Sequence, residues 1–244
     1  MTKPTPILCP SQAPIRGFFG FWMPLFSLLF LFVSCGPDDG NGGEDKTEFN
    51  RQAMFTHIGG KIILPAYREM AAEAQSLHTL GMNFIAQPEA QNLTELQEQF
   101  QLAYLAFQRV KPFELGPATT VAYRTALSIY PVDESKIEDN IAMNSTDLDL
   151  LGTSEAKGFP ALDFLLFGLG NNQAQLDAFS TDPNAQARKD YLQAILEDIL
   201  DKSETVLEGW ETDGGDYITT FITNTGTDVG SSMGLLVNEM KVVI

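Results

Sequence analysis

From Phe49 to about Leu80, apolar residues return every third or fourth position: Ile58, Ile62, Ile63, Ala66, Met70, Ala74 and Leu77. That spacing is one stripe of an amphipathic helix. Pro65 is expected to kink it, because proline removes a backbone donor and crowds the carbonyl four residues back. Thr94-Glu95-Leu96-Gln97 reads as a capping box that opens a second helix, with Leu96, Phe100, Ala103, Tyr104, Phe107 and Val110 on one face. Gly116-Pro117 and Asp182-Pro183 each read as a stop followed by a start, since proline is tolerated at a first helical position. After the second of them, Leu192, Ile195, Leu196, Ile199, Leu200, Val206 and Leu207 form the clearest stripe. Strand-like alternation is confined to Tyr217–Ile222. The expected fold class is all-α: antiparallel helical bundles in two bundle-like halves, residues 49–150 and 151–244. The second half looks short. After Trp210 there remain only the segment from Tyr217, a Gly/Thr/Asn-rich loop and the apolar stretch Met233–Ile244, as expected of a truncated bundle or a missing partner surface.

The N-terminus bears on location. Lys3 and Arg16 are the only charges before Asp38, and an almost uninterrupted apolar run, Gly17–Val33, precedes Ser34. A basic start, an apolar run holding Pro24 and a small residue read as a secretion signal; an uncleaved anchor helix is the alternative. Leu31-Phe32-Val33-Ser34-Cys35-Gly36 resembles a bacterial lipobox, with Phe32 where that pattern prefers Leu. The resemblance implies a lipoprotein signal peptide over residues 1–34 and lipidation of Cys35. Residues 35–48 are acidic and Gly-rich, a composition that cannot bury surface and serves as a tether. An acidic stretch after a lipid cysteine also resembles a surface-export tag; a plain spacer explains it equally. The expected location is the cell envelope, lipid-anchored, in the outer membrane on its periplasmic or surface side.

Charge narrows the partners. With 32 Asp+Glu against 15 Lys+Arg the formal net charge is −17, which repels phosphate backbones, so no nucleic-acid partner is expected. Cations are favoured instead. Two Cys and two His cannot supply a zinc cage or a disulfide framework, the more so if Cys9 leaves with the signal. His57 and His78 lie about six helical turns apart, roughly 31 Å, and cannot share an ion. His78, before Gly81, is expected near a helix end where it would meet the helix dipole. His-Glu-x-x-His does not occur. Asp147, Asp149, Glu155 and Asp163 crowd one stretch and offer oxygen ligands for calcium or iron. A solvated acidic face accounts for the same residues.

Five segments carry a family resemblance: Ile62–Tyr67, Ala106–Pro117, Ile129–Ile137, Gly158–Gly168 and Arg188–Trp210. In this order and spacing they resemble the imelysin-like family, secreted or lipid-anchored bacterial envelope proteins named after an insulin-cleaving membrane peptidase. The family signature is Gly-x-His-x-x-Glu. Residues three apart on a helix share a face, so an imidazole and a carboxylate so spaced can address one divalent ion. Here the matching residues are Gly158, Pro160 and Asp163. Proline offers no lone pair, and the Asp163 carboxyl sits about 1.5 Å short of a glutamate's. The resemblance implies a setting in iron or haem acquisition, with iron, haem or an envelope protein as partner and iron or calcium as divalent cation. Candidate ligands are Asp163, Glu155 and His57, and with so few donors little transition-metal binding is expected at Asp163. Three functions follow: a non-catalytic binding lipoprotein, a metal-dependent peptidase disfavoured by Pro160, and a structural surface module with a decayed site.

Overall fold

The computed structural model describes residues 49–150 and 152–243; the expected signal peptide, Cys35 and the expected tether lie outside them. The chain opens with α1 (Arg51–Ile58), capped by the Asn50 side chain, which accepts from the Ala53 amide at 2.9 Å. α1 runs through a widened π turn, Gly59–Ile63, into α2 (Leu64–Ala86). The π turn is how the helix accommodates Pro65. Shifting the hydrogen bonds to a longer register frees a carbonyl that the proline cannot use, where a simple kink was expected. The Gly59 side of that turn lies so close to Ile218 and Phe221 that a Cβ would come within 2.7 Å of the first.

Gln87, Pro88 and Glu89 reverse the chain into α3 (Ala90–Val110), so α2 and α3 pack as an antiparallel pair. The helix starts at Ala90, a turn before the expected capping box. Pro88 sets the boundary, and Thr94, inside the helix, donates to the Ala90 carbonyl at 2.9 Å instead of capping. Short helices follow: α4 (Pro117–Thr120), with Pro117 at its start as expected, α5 (Tyr123–Leu127) and α6 (Glu134–Ala142). Then come α7 (Gly158–Phe167), α8 (Asn172–Ser180) and the long α9 (Ala185–Trp210). Pro183 lies just outside α9, whose entry is shaped by the Asp182 carboxylate accepting from the Asn184 amide at 2.7 Å. α10 (Tyr217–Thr223) corrects the strand-like reading of that segment: Asp216, in left-handed conformation, turns the chain into a helix that buries Ile218 and Phe221. α11 (Ser232–Val243) ends the described chain.

The fold class is all-α, and no strand occurs among the described residues. α2 is the central helix, packed along α3 on one side and α9 on the other. Residues from both sides of position 150 fill one core, from Phe55 and Met70 to Leu196 and Phe221, and Glu48–Ile244 forms a single unit. Trp210 is fully buried at one end among Tyr67, Tyr217 and Phe221, with ring centroids 4.9–5.8 Å away. α11 is held by Arg124, which pairs with both Glu114 and Glu239, and by the Ser232 hydroxyl donating to the Phe221 carbonyl at 2.7 Å. No helix among the described residues is long and apolar enough to cross a membrane.

Candidate functional site

The motif residues lie at the start and middle of α7, which is pinned at both ends. Its first residue, Gly158, has φ +68°, and a Cβ there would sit 2.4 Å from the Leu127 carbonyl oxygen. Only glycine lets the chain turn this closely against α5. Just upstream, the Tyr191 hydroxyl donates to the Ala156 carbonyl at 2.5 Å and accepts from Asn140 at 3.2 Å, tying α9 and α6 to the approach. At the other end the buried Gln97 amide donates to the Leu166 carbonyl at 2.8 Å. The Gln175 side chain faces the amides of Phe167, Gly168 and Leu169 at 2.8–3.1 Å, with its oxygen turned toward them.

Pro160 is the third residue of α7 and is buried. First-turn amides have no partner within their own helix, so a proline there costs no hydrogen bond, and its ring fills core space where an imidazole would otherwise stand. Asp163, one turn on, is exposed, although burial against its neighbours raises its carboxyl above the usual range. No ion pair among the described residues includes it.

Phe159, Asp163 and Phe167 follow one another at four-residue intervals, on one face of α7. Opposite them is the aromatic stripe of α3: Tyr104 lies 5.5 Å from Phe159, and Phe100 lies 5.7 Å from Phe167. Tyr104 in turn stacks on Phe100, their rings nearly parallel at 5.9 Å. Asp163 therefore emerges between two aromatic contacts. The α5–α6 connection carries Tyr130, 61% exposed. Burial, the neighbouring Tyr104 hydroxyl and the negative charge of Asp163 all push the Tyr130 phenol up. The connection is fixed below Tyr130: the Asp133 amide donates to the Glu155 carbonyl at 2.7 Å, and its carboxylate accepts from Ser135 and the Lys136 amide, which hold it below the usual carboxylate range.

The other proposed ligands are elsewhere. Glu155 is exposed in a short turn before α7, bordering a shallow hollow with Pro131 and Glu134. His57 is exposed in the last turn of α1, which packs chiefly on α10. No three His, Cys, Asp or Glu side chains among the described residues converge to hold one ion. His78 is not at a helix end, because α2 continues through Gly81 to Ala86, so the dipole explanation fails. Sequence reasoning missed Tyr104 and Tyr130 as neighbours of Asp163. Tyr130 stood in the Ile129–Ile137 segment and Tyr104 on the α3 stripe, but nothing along the chain joins the two. A separate groove of about 720 Å³ opens between α6, α8 and α9, walled by Glu138, Asp177 and Arg188.

Against known families, the Imelysin model matches residues 63–243. The chain belongs to the imelysin family. Iron-regulated protein A of Synechococcus elongatus is 22% identical over 186 residues, 74% of this chain and 44% of that protein. A crystal structure assigned as an iron-regulated protein A precursor from Parabacteroides distasonis is 21% identical with a TM-score of 0.64, matched over 82% of this chain and 57% of that one. An imelysin-like protein from Psychrobacter arcticum gives 0.60 at 18% identity, over 80% and 59%. These likenesses establish the imelysin fold. The chain spans under half the length of the first relative and under three fifths of the two solved structures. Against the imelysin signature, α7 keeps the glycine and a carboxylate and lacks the imidazole; the nitrogen–oxygen pair that would hold a divalent ion is not formed by Gly158, Pro160 and Asp163.

Proposed function

We propose that this imelysin-family chain is a non-catalytic binding protein of the bacterial cell envelope, anchored by lipid on Cys35 and working in iron or haem acquisition. The observation that carries the reading is the state of α7. The tight Gly158 turn and both pins of the helix are kept, while Pro160 occupies the place of the metal-binding, water-activating imidazole. Peptide hydrolysis by a metal centre needs a metal-activated water and a base poised beside it. A lone exposed carboxylate supplies neither the ligand count nor the orienting partner. The relatives named as iron-regulated support the setting.

The test is to incubate the purified chain with a denatured polypeptide, with and without a chelator. Intact substrate in both arms is the expected result. Chelator-sensitive cleavage overturns the reading in favour of a peptidase. Metabolic palmitate labelling that vanishes in Cys35→Ala supports the anchor; labelling that persists removes it.

A further inference from the structure

We propose that the groove between α6, α8 and α9 seats a lysine-bearing segment of a partner polypeptide. The inference goes beyond the reading above and depends on neither iron, haem nor the lipid anchor. The groove measures about 720 Å³, within the range of ligand-binding clefts. Its floor is apolar, made by Phe164 and Leu169 at the end of α7 and by Ala174 and Ala178 on α8. Its walls are acidic: Glu134 and Glu138 stand one turn apart on α6, Asp177 lies on α8 and Asp182 just beyond it. Against these four carboxylates the lining offers one cation, Arg188, so the groove carries a net charge of −3. Arg188 is committed to Glu138 through both terminal nitrogens, at 3.0 and 2.6 Å. Glu134, Asp177 and Asp182 are left without an ion-pair partner among the described residues.

Three features of the lining select the occupant. The surplus of carboxylates is complementary to a cation. The apolar floor suits methylenes, and a lysine lays its four-carbon stem along such a surface while its ammonium stays among the charges of the rim. The third feature is a donor. Arg188 is 6% exposed, and its Nε hydrogen has no acceptor among the described residues. A buried donor without a partner calls for an acceptor, and a polypeptide brings one carbonyl per residue. Glu138, with 41% of its side chain exposed, is free to shift as a carbonyl approaches the guanidinium. A bare metal ion offers neither acceptor nor apolar surface, and a linear polyamine offers charge and stem but no acceptor. A peptide segment with a lysine meets all three demands. Lysine fits better than arginine, because its compact ammonium is shared among carboxylates on separate elements, whereas a planar guanidinium matches one carboxylate at a time.

The experiment titrates the full chain into fluorescein-labelled Lys-Leu-Lys-Leu-Lys and reads fluorescence anisotropy, at about 0.15 M ionic strength so that distant charges are screened. The expected result is saturable binding that Glu134→Gln combined with Asp177→Asn weakens about tenfold, as loss of two ion pairs at the strong end of the exposed range would. Ala174→Lys, which sets a cation and its stem on the floor, should abolish it. Charge alone is controlled by Glu204→Gln combined with Glu208→Gln, which removes two carboxylates about 24–30 Å from Arg188 along α9 and should change the affinity by no more than about twofold. Circular dichroism checks that each variant folds. Equal weakening by the two pairs, or no binding at all, overturns the proposal. So does equal binding of Lys-Ser-Lys-Ser-Lys, which would leave the floor unused. Displacement of the peptide by an equal concentration of spermine or free lysine also overturns it, in favour of a small cation. None of these variants touches the motif residues of α7 or Cys35, so either outcome leaves the tests of cleavage and lipid anchoring independent.

Discussion

Replacing Gly158 with alanine tests whether α7 is positioned by its first residue. The backbone there has φ +68°, and a new Cβ would lie 2.4 Å from the Leu127 oxygen, 2.6 Å from its carbonyl carbon and 2.8 Å from its Cα. Two costs combine. A left-handed non-glycine residue costs about 1–2 kcal/mol. The clash is with backbone of α5, which cannot rotate away as a side-chain tip would, and overpacking of this kind adds about 1–3 kcal/mol. The expected loss is therefore about 2–5 kcal/mol, or roughly 5–15 °C of Tm for a chain of this size. Gly60 is the control, because its Cβ would meet nothing within 4 Å. Gly60→Ala, inside a helix, should gain about 0.4–1 kcal/mol. Urea unfolding followed by circular dichroism measures both, and an unchanged m-value assigns the difference to stability. A Gly158→Ala midpoint that matches the wild type would falsify the claim that this turn sets the helix.

Arg188 is 6% exposed, and its two terminal nitrogens donate to Glu138 at 3.0 and 2.6 Å. Because the Glu138 side chain is 41% exposed and can rehydrate, Arg188→Met should cost only about 1–2 kcal/mol in urea unfolding; a loss above that range means the guanidinium does more than hold Glu138. Tyr123→Phe removes the buried hydroxyl that meets Ser203 at 2.8 Å, but Ser203 still donates to the Ile199 carbonyl at 2.6 Å, so about 0.5–1.5 kcal/mol should go. A neutral result means the pair contributes nothing. The Asp163 carboxyl is raised by burial, so its charge is disfavoured in the folded state. The penalty is absent at pH values below the ordinary carboxylate range, where folded and unfolded chains are both protonated, and sets in as pH rises through the raised value. Metal-free Asp163→Asn should accordingly unfold like the wild type in acid and slightly later at neutral pH. Earlier unfolding at neutral pH contradicts that sign.

The long elements were legible because their period is long enough to be unambiguous. The stripes through Met70 to Leu77, Leu96 to Val110 and Leu192 to Leu207 are the faces of α2, α3 and α9 that fill the core. Boundaries and short segments were not. Thr94 and Gln97 match a capping box, but Pro88 ends the preceding turn earlier, and backbone geometry outranks side-chain capping there. Tyr217–Thr223 mixes β-branched and aromatic residues whose alternation suits a strand, yet with Trp210 and Phe55 to cover it, a two-turn helix buries Ile218 and Phe221 better. At the site, Gly158, Pro160 and Asp163 were visible because the motif spacing is local. The α3 stripe that faces Asp163 was not, because Tyr104 stands 59 positions before it and only the packing of α3 on α7 brings the two helices together.

The exchange of an imidazole for a proline in the first turn of α7 moves stability and ligation in opposite directions. Proline at this position forfeits no hydrogen bond and restricts the unfolded chain, which favours folding by about 0.4–1 kcal/mol where the backbone already fits. Pro160 is buried, so its ring also packs where a polar imidazole would need a partner. The same exchange removes the nitrogen that the family motif places three residues before residue 163. What is left of the motif on that face is the exposed carboxylate of Asp163. A rigid helix that presents one carboxylate with no imidazole beside it does not by itself supply the ligand count that activating a metal-bound water requires. Pro160 therefore firms the start of α7 and at the same time withdraws the nitrogen that the family motif would place on its exposed face.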